Sequence, residues 1–229
     1  MITFTPHDKR LGRQIYKKLN AARKKNLELR IANFSDIRNI LNKDERAVVD
    51  KIRYINPQDY EKKYQLLGIR PVPSNLVRIK DQTYQLKEKN KKIPLQFLPK
   101  KVFKAYQKLN NAMQQDIDRS INVFSGYRSP AYQMVLFFCD FYNNLWDVNK
   151  TLVTNAPPAY SEHCYPARQA IDFAPAKGIP ELTGFHRTKE YRWLERNASK
   201  FNFYLSYPKY NGTGVVFEPW HWHFEVKRI

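Results

Sequence analysis

The sequence predicts an α+β fold in which a helical segment precedes the strands. Apolar residues make up 42% of the 229 residues and aromatic residues 14%, a composition typical of a globular chain. Apolar side chains recur at helical spacing in some segments and form short strand-like runs in others. These segments do not follow the β-α-β rhythm of parallel-sheet proteins, which favours an α+β domain.

The first third of the chain predicts helices. Residues 9–30 carry apolar side chains at roughly helical spacing among many Lys and Arg residues. Asn42 followed by Glu45 resembles a capping box, which opens a second helix. A third helix is expected at residues 57–68, because an Asn-Pro pair starts it and a glycine ends it. We therefore take residues 1–55 as a basic helical extension.

The rest of the chain mixes both kinds of element. The spacing and composition predict, in order, a strand at 76–79, a lysine-rich loop at 81–99, a helix at 101–117, a strand at 122–124, a helix at 130–145, a strand at 170–173, a helix at 189–200, and strands at 203–207 and 215–226. Residues 56–229 are therefore expected to form the second, larger domain.

The net charge of +19 is unevenly distributed, with +14 in residues 1–100 and +5 in residues 101–229. Such a field attracts nucleic acid, acidic lipid headgroups or other anionic polymers, although a well-solvated basic surface would have the same composition. No zinc-finger, RNP-type or glycine-rich nucleic-acid motif accompanies the charge, so no specific nucleic-acid partner is expected.

The chain shows no predicted membrane span, because no apolar run approaches the roughly 20 residues needed to cross a bilayer. Its first residues are polar and lack the apolar region of an export signal, which fits a cytoplasmic protein or a processed form. Two cysteines, Cys139 and Cys164, could form one bridge or remain two thiols.

Metal-ligand residues concentrate near the C-terminus, where four of the five histidines lie in the last 67 residues. A catalytic zinc needs three protein ligands of the kind that His163, Asp172 and His221 offer. It also needs a nearby carboxylate that takes a proton from water, and Glu218 precedes His221 by three residues. Residues three apart in a strand point to opposite faces, so Pro219 has to break the strand.

Four motifs in order make the chain similar to a known family. Ser125-Gly-Tyr-Arg-Ser129 with Gln133, Ser161-x-His163, Ala170-x-Asp172 and Glu218-Pro-Trp-His221 resemble the zinc D,D- and L,D-carboxypeptidases of peptidoglycan. These are relatives of the vancomycin-resistance carboxypeptidase in the lysostaphin and D-Ala-D-Ala metallopeptidase group. The resemblance covers roughly residues 64–229. It implies a small, mostly antiparallel sheet with helices on one side and a zinc cleft on the sheet.

The resemblance also implies roles for individual residues. His163, Asp172 and His221 would bind Zn²⁺. Glu218 would act as the general base that activates water, and afterwards as the acid that protonates the departing amine. Arg128 would stabilise the oxyanion, since a guanidinium keeps its charge at any working pH.

Four further residues are expected to contact the substrate. Ser161 and Gln133 are candidates for holding its terminal carboxylate, and Tyr127 lies within the first motif. His223 follows His221 by two residues, so both share one strand face and His223 would line the same cleft. The family spacing from Glu218 favours His221 as the ligand.

One segment departs from the family pattern. The usual block has seven residues from the histidine to the aspartate and contains a glycine, whereas His163 and Asp172 are nine apart and the glycine is absent. The loop is therefore expected to bulge by two residues and reshape the substrate pocket while leaving the ligands in place.

The expected function is a zinc carboxypeptidase that removes a terminal D-amino acid from peptidoglycan stem peptides. Its expected location is the bacterial cell envelope, where the basic N-terminal part would contact anionic envelope polymers. An endopeptidase that cuts cross-links, with D,D or L,D specificity open, is the alternative within the class. A non-catalytic wall-binding domain and a basic nucleic-acid-binding protein are the alternatives outside it.

Overall fold

The computed structural model describes residues 2–86, 89–177 and 184–226. In chain order, its helices and strands are α1 (Pro6–Lys25), α2 (Phe34–Arg38), α3 (Lys43–Asp50), β1 (Leu76–Ile79), β2 (Thr83–Leu86), β3 (Lys89–Lys92), β4 (Gln96–Pro99), α4 (Lys100–Ile117), β5 (Ile121–Ser125), α5 (Pro130–Asn143), α6 (Val148–Leu152), β6 (Gln169–Pro175), α7 (Lys189–Asn197), β7 (Phe203–Leu205) and β8 (His221–Phe224). Short 3₁₀ helices connect several of them, among them Pro57–Tyr60, Glu162–Cys164 and Pro166–Arg168.

The chain forms two compact units. The helical unit consists of Met1–Val72, Arg128–Cys164 and Asn211–Val216. The sheet unit consists of Pro73–Tyr127, Tyr165–Tyr210 and Phe217–Ile229.

The helical unit is organised around α5, whose side chains are mostly buried. Helices α1, α2 and α3 pack against it. Gly12 of α1 lies so close to the Trp146 indole that an added Cβ would sit 2.2 Å from a ring carbon. That indole stacks edge-on against Phe141, with ring centroids 5.0 Å apart. The basic N-terminal helices therefore cover the apolar face of α5.

The sheet unit contains a four-stranded antiparallel sheet in the order β5-β6-β8-β7. One apolar cluster joins this sheet to α4 and α7, and it includes Leu109, Phe173, Leu194 and Trp222. The pairs β1–β4 and β2–β3 form two further antiparallel ribbons. The sheet thus gives β6 and β8 a fixed register, which positions two of the residues singled out by the sequence.

The predicted α+β class, with antiparallel sheets and an N-terminal helix, is confirmed. The loop predicted at 81–99 is wrong, since it contains β2, β3 and β4, although residues 87 and 88 lie outside the described residues. The helix predicted at 57–68 is also wrong. Only the 3₁₀ helix Pro57–Tyr60 forms, and Glu61 ends it by adopting a left-handed backbone with φ of 58°. The domain boundary after residue 55 stays a prediction.

Two further observations concern the predicted membrane behaviour and the cysteines. Among the described residues, the helices lack the combination of length and apolar character that a bilayer crossing requires. Cys139 and Cys164 are both buried and carry unbridged thiols.

Candidate active site and metal centre

Two of the predicted metal ligands face each other across the sheet. Asp172 of β6 and His221 of β8 are direct partners in the antiparallel register. Side chains at such positions stand on the same face of the sheet within contact distance. The Asp172 Oδ1 and His221 Nδ1 atoms are accordingly 3.1 Å apart, and both side chains are buried.

Glu218 reaches His221 because a turn precedes β8. The His221 N–H donates to the Glu218 carbonyl at 3.1 Å, which closes a four-residue turn through Pro219. The Glu218 N–H donates to the Tyr207 carbonyl at 3.1 Å. The buried Glu218 Oε2 consequently lies 3.5 Å from His221 Nδ1. The strand predicted from residue 215 begins only at His221, because this turn occupies the preceding positions.

The third predicted ligand, His163, lies in the 3₁₀ helix Glu162–Cys164 and is buried. One ligand atom from each of His163, Asp172 and His221 lies within 4.8 Å of the other two. Two imidazoles and a carboxylate are a donor set that catalytic zinc sites use. Bonds of about 2.0–2.1 Å in tetrahedral geometry place ligand atoms roughly 3.4 Å apart, close to the Asp172–His221 separation. The three residues therefore form a candidate metal site.

Arg128 is tied to the segment that carries His163. Its backbone N–H donates to the His163 carbonyl at 3.0 Å. Its guanidinium donates to Gln133 Oε1 at 3.2 Å, and the Gln133 amide nitrogen donates to Asn155 Oδ1 at 2.7 Å and to the Ala156 carbonyl at 2.8 Å. The two acceptors orient the Gln133 amide so that its oxygen faces the arginine. Gln133 thus orients the Arg128 side chain.

Comparison of the sequence with known protein families identifies the family of this chain. Residues 95–227 match the VanY family, described as D-alanyl-D-alanine carboxypeptidase. The chain belongs to the VanY family. The resemblance inferred from the four motifs is confirmed.

Two curated relatives and one solved structure are similar to the chain. YodJ of Bacillus subtilis (strain 168) is 30% identical to this chain over 80% of this chain and 60% of its own length. YodJ is named as a carboxypeptidase only provisionally. A D-alanyl-D-alanine carboxypeptidase of Enterococcus faecium is 29% identical over 55% of this chain and 36% of its own. The chain therefore spans less than two thirds of either relative. The structure of the LD-carboxypeptidase LdcB, described as revealing peptidoglycan recognition, has a TM-score of 0.52 at 28% identity, covering 66% of this chain and 68% of that one.

His223 sits in a polar cluster that the sequence did not reveal. Its Nδ1 lies 2.8 Å from Ser206 Oγ and 3.4 Å from an Arg168 guanidinium nitrogen. Arg168 also donates to Glu225 Oε2 at 2.5 Å, and His223 Nε2 is 3.6 Å from the same oxygen. Arginine has only donors, so the Nδ1 atom that faces it accepts and the proton belongs on Nε2. His223 shares the face of His221, as predicted, and these contacts hold its ring.

Arg168 belongs to the segment that exceeds the family spacing. The 3₁₀ helix Pro166–Arg168 takes up part of the longer connection between His163 and Asp172. Arg168 then ties this connection to Glu225, which follows β8. The extra length was visible in the sequence as the nine-residue spacing. The partners of Arg168, which are His223 of β8 and Glu225 just after it, lie more than 50 positions away.

Two tyrosines near the motifs have different environments. The Tyr127 side chain is fully buried, and its N–H donates to the Phe97 carbonyl at 2.6 Å. Gly126 permits this approach, because an added Cβ would lie 2.3 Å from the same carbonyl oxygen. The Tyr207 ring lies 5.1 Å from the His221 ring. Tyr207 was not among the predicted site residues.

Ser161 and Cys164 flank His163 inside the helical unit. The Cys164 N–H donates to the Ser161 carbonyl at 3.0 Å, and Ser161 is buried. Burial raises the pKa of the Cys164 thiol to about 12, against the opposing effects of the Arg128 charge and a hydrogen bond with Ser161. In these surroundings the neutral form of the thiol is therefore favoured at physiological pH.

Proposed function

We propose that the chain is a zinc-dependent carboxypeptidase that removes the terminal D-Ala from peptidoglycan stem peptides. The observation that carries the proposal is the set of ligand atoms of His163, Asp172 and His221 within 4.8 Å, in a chain of the VanY family. The His221–Asp172 pair alone would be explained by a hydrogen bond. His163 is a third buried ligand group, which a hydrogen-bonded pair of side chains would not need, and its presence favours a metal site.

In this proposal, His163, Asp172 and His221 hold the zinc ion. When bound, zinc supplies positive charge that polarises the scissile carbonyl and lowers the pKa of water. Glu218 takes the proton from the attacking water and delivers it to the departing amine. The 3.5 Å between the Glu218 carboxylate and His221 supports this role, since it puts the base beside a ligand.

Arg128 is proposed to stabilise the negative charge that develops on the carbonyl oxygen. A half-buried guanidinium held by Gln133 is oriented before the substrate binds, which reduces the cost of reorganisation during the reaction. The Arg128 N–H also donates to the His163 carbonyl, so a backbone hydrogen bond holds Arg128 beside the segment that carries a proposed ligand.

Substrate contacts are proposed for Ser161, Tyr127 and His223, and an indirect role in substrate binding is proposed for Gln133. Ser161 lies two residues before a ligand and would offer a hydroxyl to the terminal carboxylate. Gln133 would act through the arginine that it orients, because both hydrogens of its amide nitrogen have protein acceptors. The buried Tyr127 would shape the wall of the site, and His223 would present the edge of its ring.

The proposed location is the bacterial cell envelope, where stem peptides occur. Five basic side chains of α1 are exposed and lie within about 100° of one another around the helix axis, at Lys9, Arg10, Arg13, Lys17 and Lys24. Such a stripe favours binding to an anionic envelope polymer, with an affinity that falls as salt rises.

One experiment tests the proposed function directly. Zinc-loaded protein is incubated with stem tetrapeptides and pentapeptides, and the released residue is identified by mass. Release of D-Ala from the pentapeptide supports D,D-carboxypeptidase activity, whereas release from the tetrapeptide indicates L,D specificity. Cleavage only of cross-linked dimers would indicate the endopeptidase alternative. The absence of any product from zinc-loaded protein would overturn the proposal.

A further inference from the structure

The hydrogen bond between Arg128 and Gln133 is the first of three that run into the helical unit. The Arg128 guanidinium donates to Gln133 Oε1 at 3.2 Å, and the Gln133 amide nitrogen donates to Asn155 Oδ1 at 2.7 Å. The Asn155 amide nitrogen then donates to Asp140 Oδ2 at 2.6 Å. Gln133 and Asn155 are buried, and Asp140 is half-buried. A continuous chain of hydrogen bonds therefore joins Arg128 to a carboxylate.

The carboxylate gives this chain a fixed direction. An ionised carboxylate can only accept hydrogen bonds, so Asp140 requires the nitrogen of the Asn155 amide. The Asn155 oxygen then faces the nitrogen of the Gln133 amide. The Gln133 oxygen is left to face Arg128, which can only donate. Reversing either amide would bring two acceptors or two donors together, an arrangement that is costly in a buried position.

Two helices hold the side chains of the chain in reach of one another. Gln133 and Asp140 both belong to α5. They are seven residues apart, which is nearly two helical turns, so both lie on the same side of the helix. Asn155 follows α6, and its backbone N–H donates to the Thr151 carbonyl at 3.0 Å. Asn155 is thereby fixed between the two side chains of α5.

Nearby positive charges favour the ionised form of Asp140. Burial raises the pKa of this carboxyl group, whereas the hydrogen bond from Asn155 and the charges of Arg23 and Arg128 lower it. Arg23 lies in the last turn of α1, within the basic N-terminal segment. The N-terminal segment therefore contributes to the charge balance around the far end of the chain.

We propose that Asp140 and Asn155 are positioning residues, which fix the direction of the Gln133 amide and thereby hold Arg128 in place for catalysis. This inference rests on the proposed function, in which Arg128 stabilises the oxyanion. The Ala156 carbonyl also accepts from the Gln133 amide nitrogen, at 2.8 Å. This second contact uses a backbone atom and stays in place when side chains are replaced, so the expected effect is that of a single hydrogen bond.

The first variant is Asp140→Asn. It keeps the shape of the side chain, but an amide donates as well as accepts, so Asn155 is no longer held in one direction. We expect kcat to fall by about two- to tenfold, the range for one hydrogen bond. KM should change less, since the oxyanion develops only in the transition state. Zinc content should equal that of wild type, because the three proposed ligands are unchanged.

Asp147→Asn is the matched control in the same unit. Asp147 accepts from the Lys150 N–H at 2.8 Å at the start of α6, a capping role that asparagine fills equally well. The control makes the same carboxylate-to-amide change where direction does not matter. It should leave kcat unchanged.

The decisive variant exchanges the two side chains, as Asp140→Asn/Asn155→Asp. The carboxylate at position 155 can only accept, so it again faces the nitrogen of Gln133, and the amide at position 140 donates to it. We expect kcat to return to within about twofold of wild type, because the same hydrogen bonds are present. Side chains that only filled space would show no loss and recovery, since all the variants have nearly the same volume. If Asp140→Asn does not fold, the exchanged variant decides: a wild-type kcat supports the inference, and a low one overturns it.

The inference is overturned if Asp140→Asn lowers kcat no more than Asp147→Asn does, or if the exchange recovers nothing. If zinc-loaded wild type releases no D-Ala, the proposed function fails. The chain is then tested by NMR, through hydrogen exchange of the Gln133 side-chain amide, whose resonances are assigned with Gln133→Glu. Slow exchange in wild type and the exchanged variant, with faster exchange in Asp140→Asn, supports the positioning role. Equal exchange in all three proteins overturns it.

Discussion

Replacing Glu218 with glutamine separates metal binding from proton transfer. The amide keeps the shape of the side chain but cannot accept a proton from water. The turn should survive, because the hydrogen bonds of Glu218 to His221 and Tyr207 use backbone atoms. The three proposed ligands are untouched, so we expect Glu218→Gln to retain about one zinc per chain.

The expected loss appears in kcat. A positioned general acid or base contributes about 10²–10⁴-fold, which corresponds to roughly 2.7–5.4 kcal/mol of barrier at 1.36 kcal/mol for each factor of ten. The upper part of this range is expected, because the Glu218 carboxylate is buried 3.5 Å from His221 and bulk water has little access to replace it. KM should change much less, since the amide occupies the same volume.

The assay measures D-Ala release and zinc content on the same preparations. Asp172→Asn is the matched comparison, because it makes the same carboxylate-to-amide change at a proposed ligand. We expect Asp172→Asn to lose both zinc and activity, whereas Glu218→Gln loses activity alone. A kcat for Glu218→Gln within about threefold of wild type would remove Glu218 from the mechanism. Full zinc occupancy in Asp172→Asn would reject Asp172 as a ligand.

Four further predictions concern other parts of the molecule. Arg128→Lys should lower kcat more than it changes KM, because an ammonium does not reproduce a planar guanidinium, and unchanged kcat would argue against an oxyanion role. His221→Ala should abolish zinc binding in a metal assay, whereas His223→Ala should retain it. The reverse result would make His223 the ligand in place of His221. Deleting residues 1–55 uncovers α5 and should lower the melting temperature, whereas peptide cleavage by a well-folded truncated chain would support the predicted boundary. Because burial raises its pKa to about 12, the Cys164 thiol should resist alkylation near pH 8 in the native protein, and rapid labelling of that residue by mass would contradict this.

The elements that the sequence predicted well are those with local signals. The spacing of Val102, Leu109 and Met113 indicated α4, and these side chains are buried in the sheet unit. Asn42 and Glu45 do form a capping box at the start of α3, with both reciprocal hydrogen bonds present. In each case the pattern covers a few turns and needs no distant partner.

The strands in the lysine-rich stretch lacked such a signal. β3 consists of Lys-Asn-Lys-Lys, and each of its side chains is exposed. Without a buried face there is no alternation of apolar and polar residues, and the pairing with β2 is made by backbone groups. Sequence patterning therefore described this segment as a loop, although its backbone pairs in a regular register.

The candidate site likewise contains features that depend on neighbouring residues in the sequence and features that depend on distant ones. The Glu218–His221 spacing required a turn at Pro219, and the structure contains that turn because both residues belong to one short segment. The ties of Arg168 to His223 and Glu225 could not be deduced, since they join positions more than 50 residues apart. They nevertheless explain how a connection two residues longer than the family pattern is accommodated. The excess forms a 3₁₀ turn that is tied to the end of β8, while Asp172 stays in register opposite His221. In this chain the longer connection therefore leaves Asp172 paired with His221, because the added residues have their own attachment to the sheet.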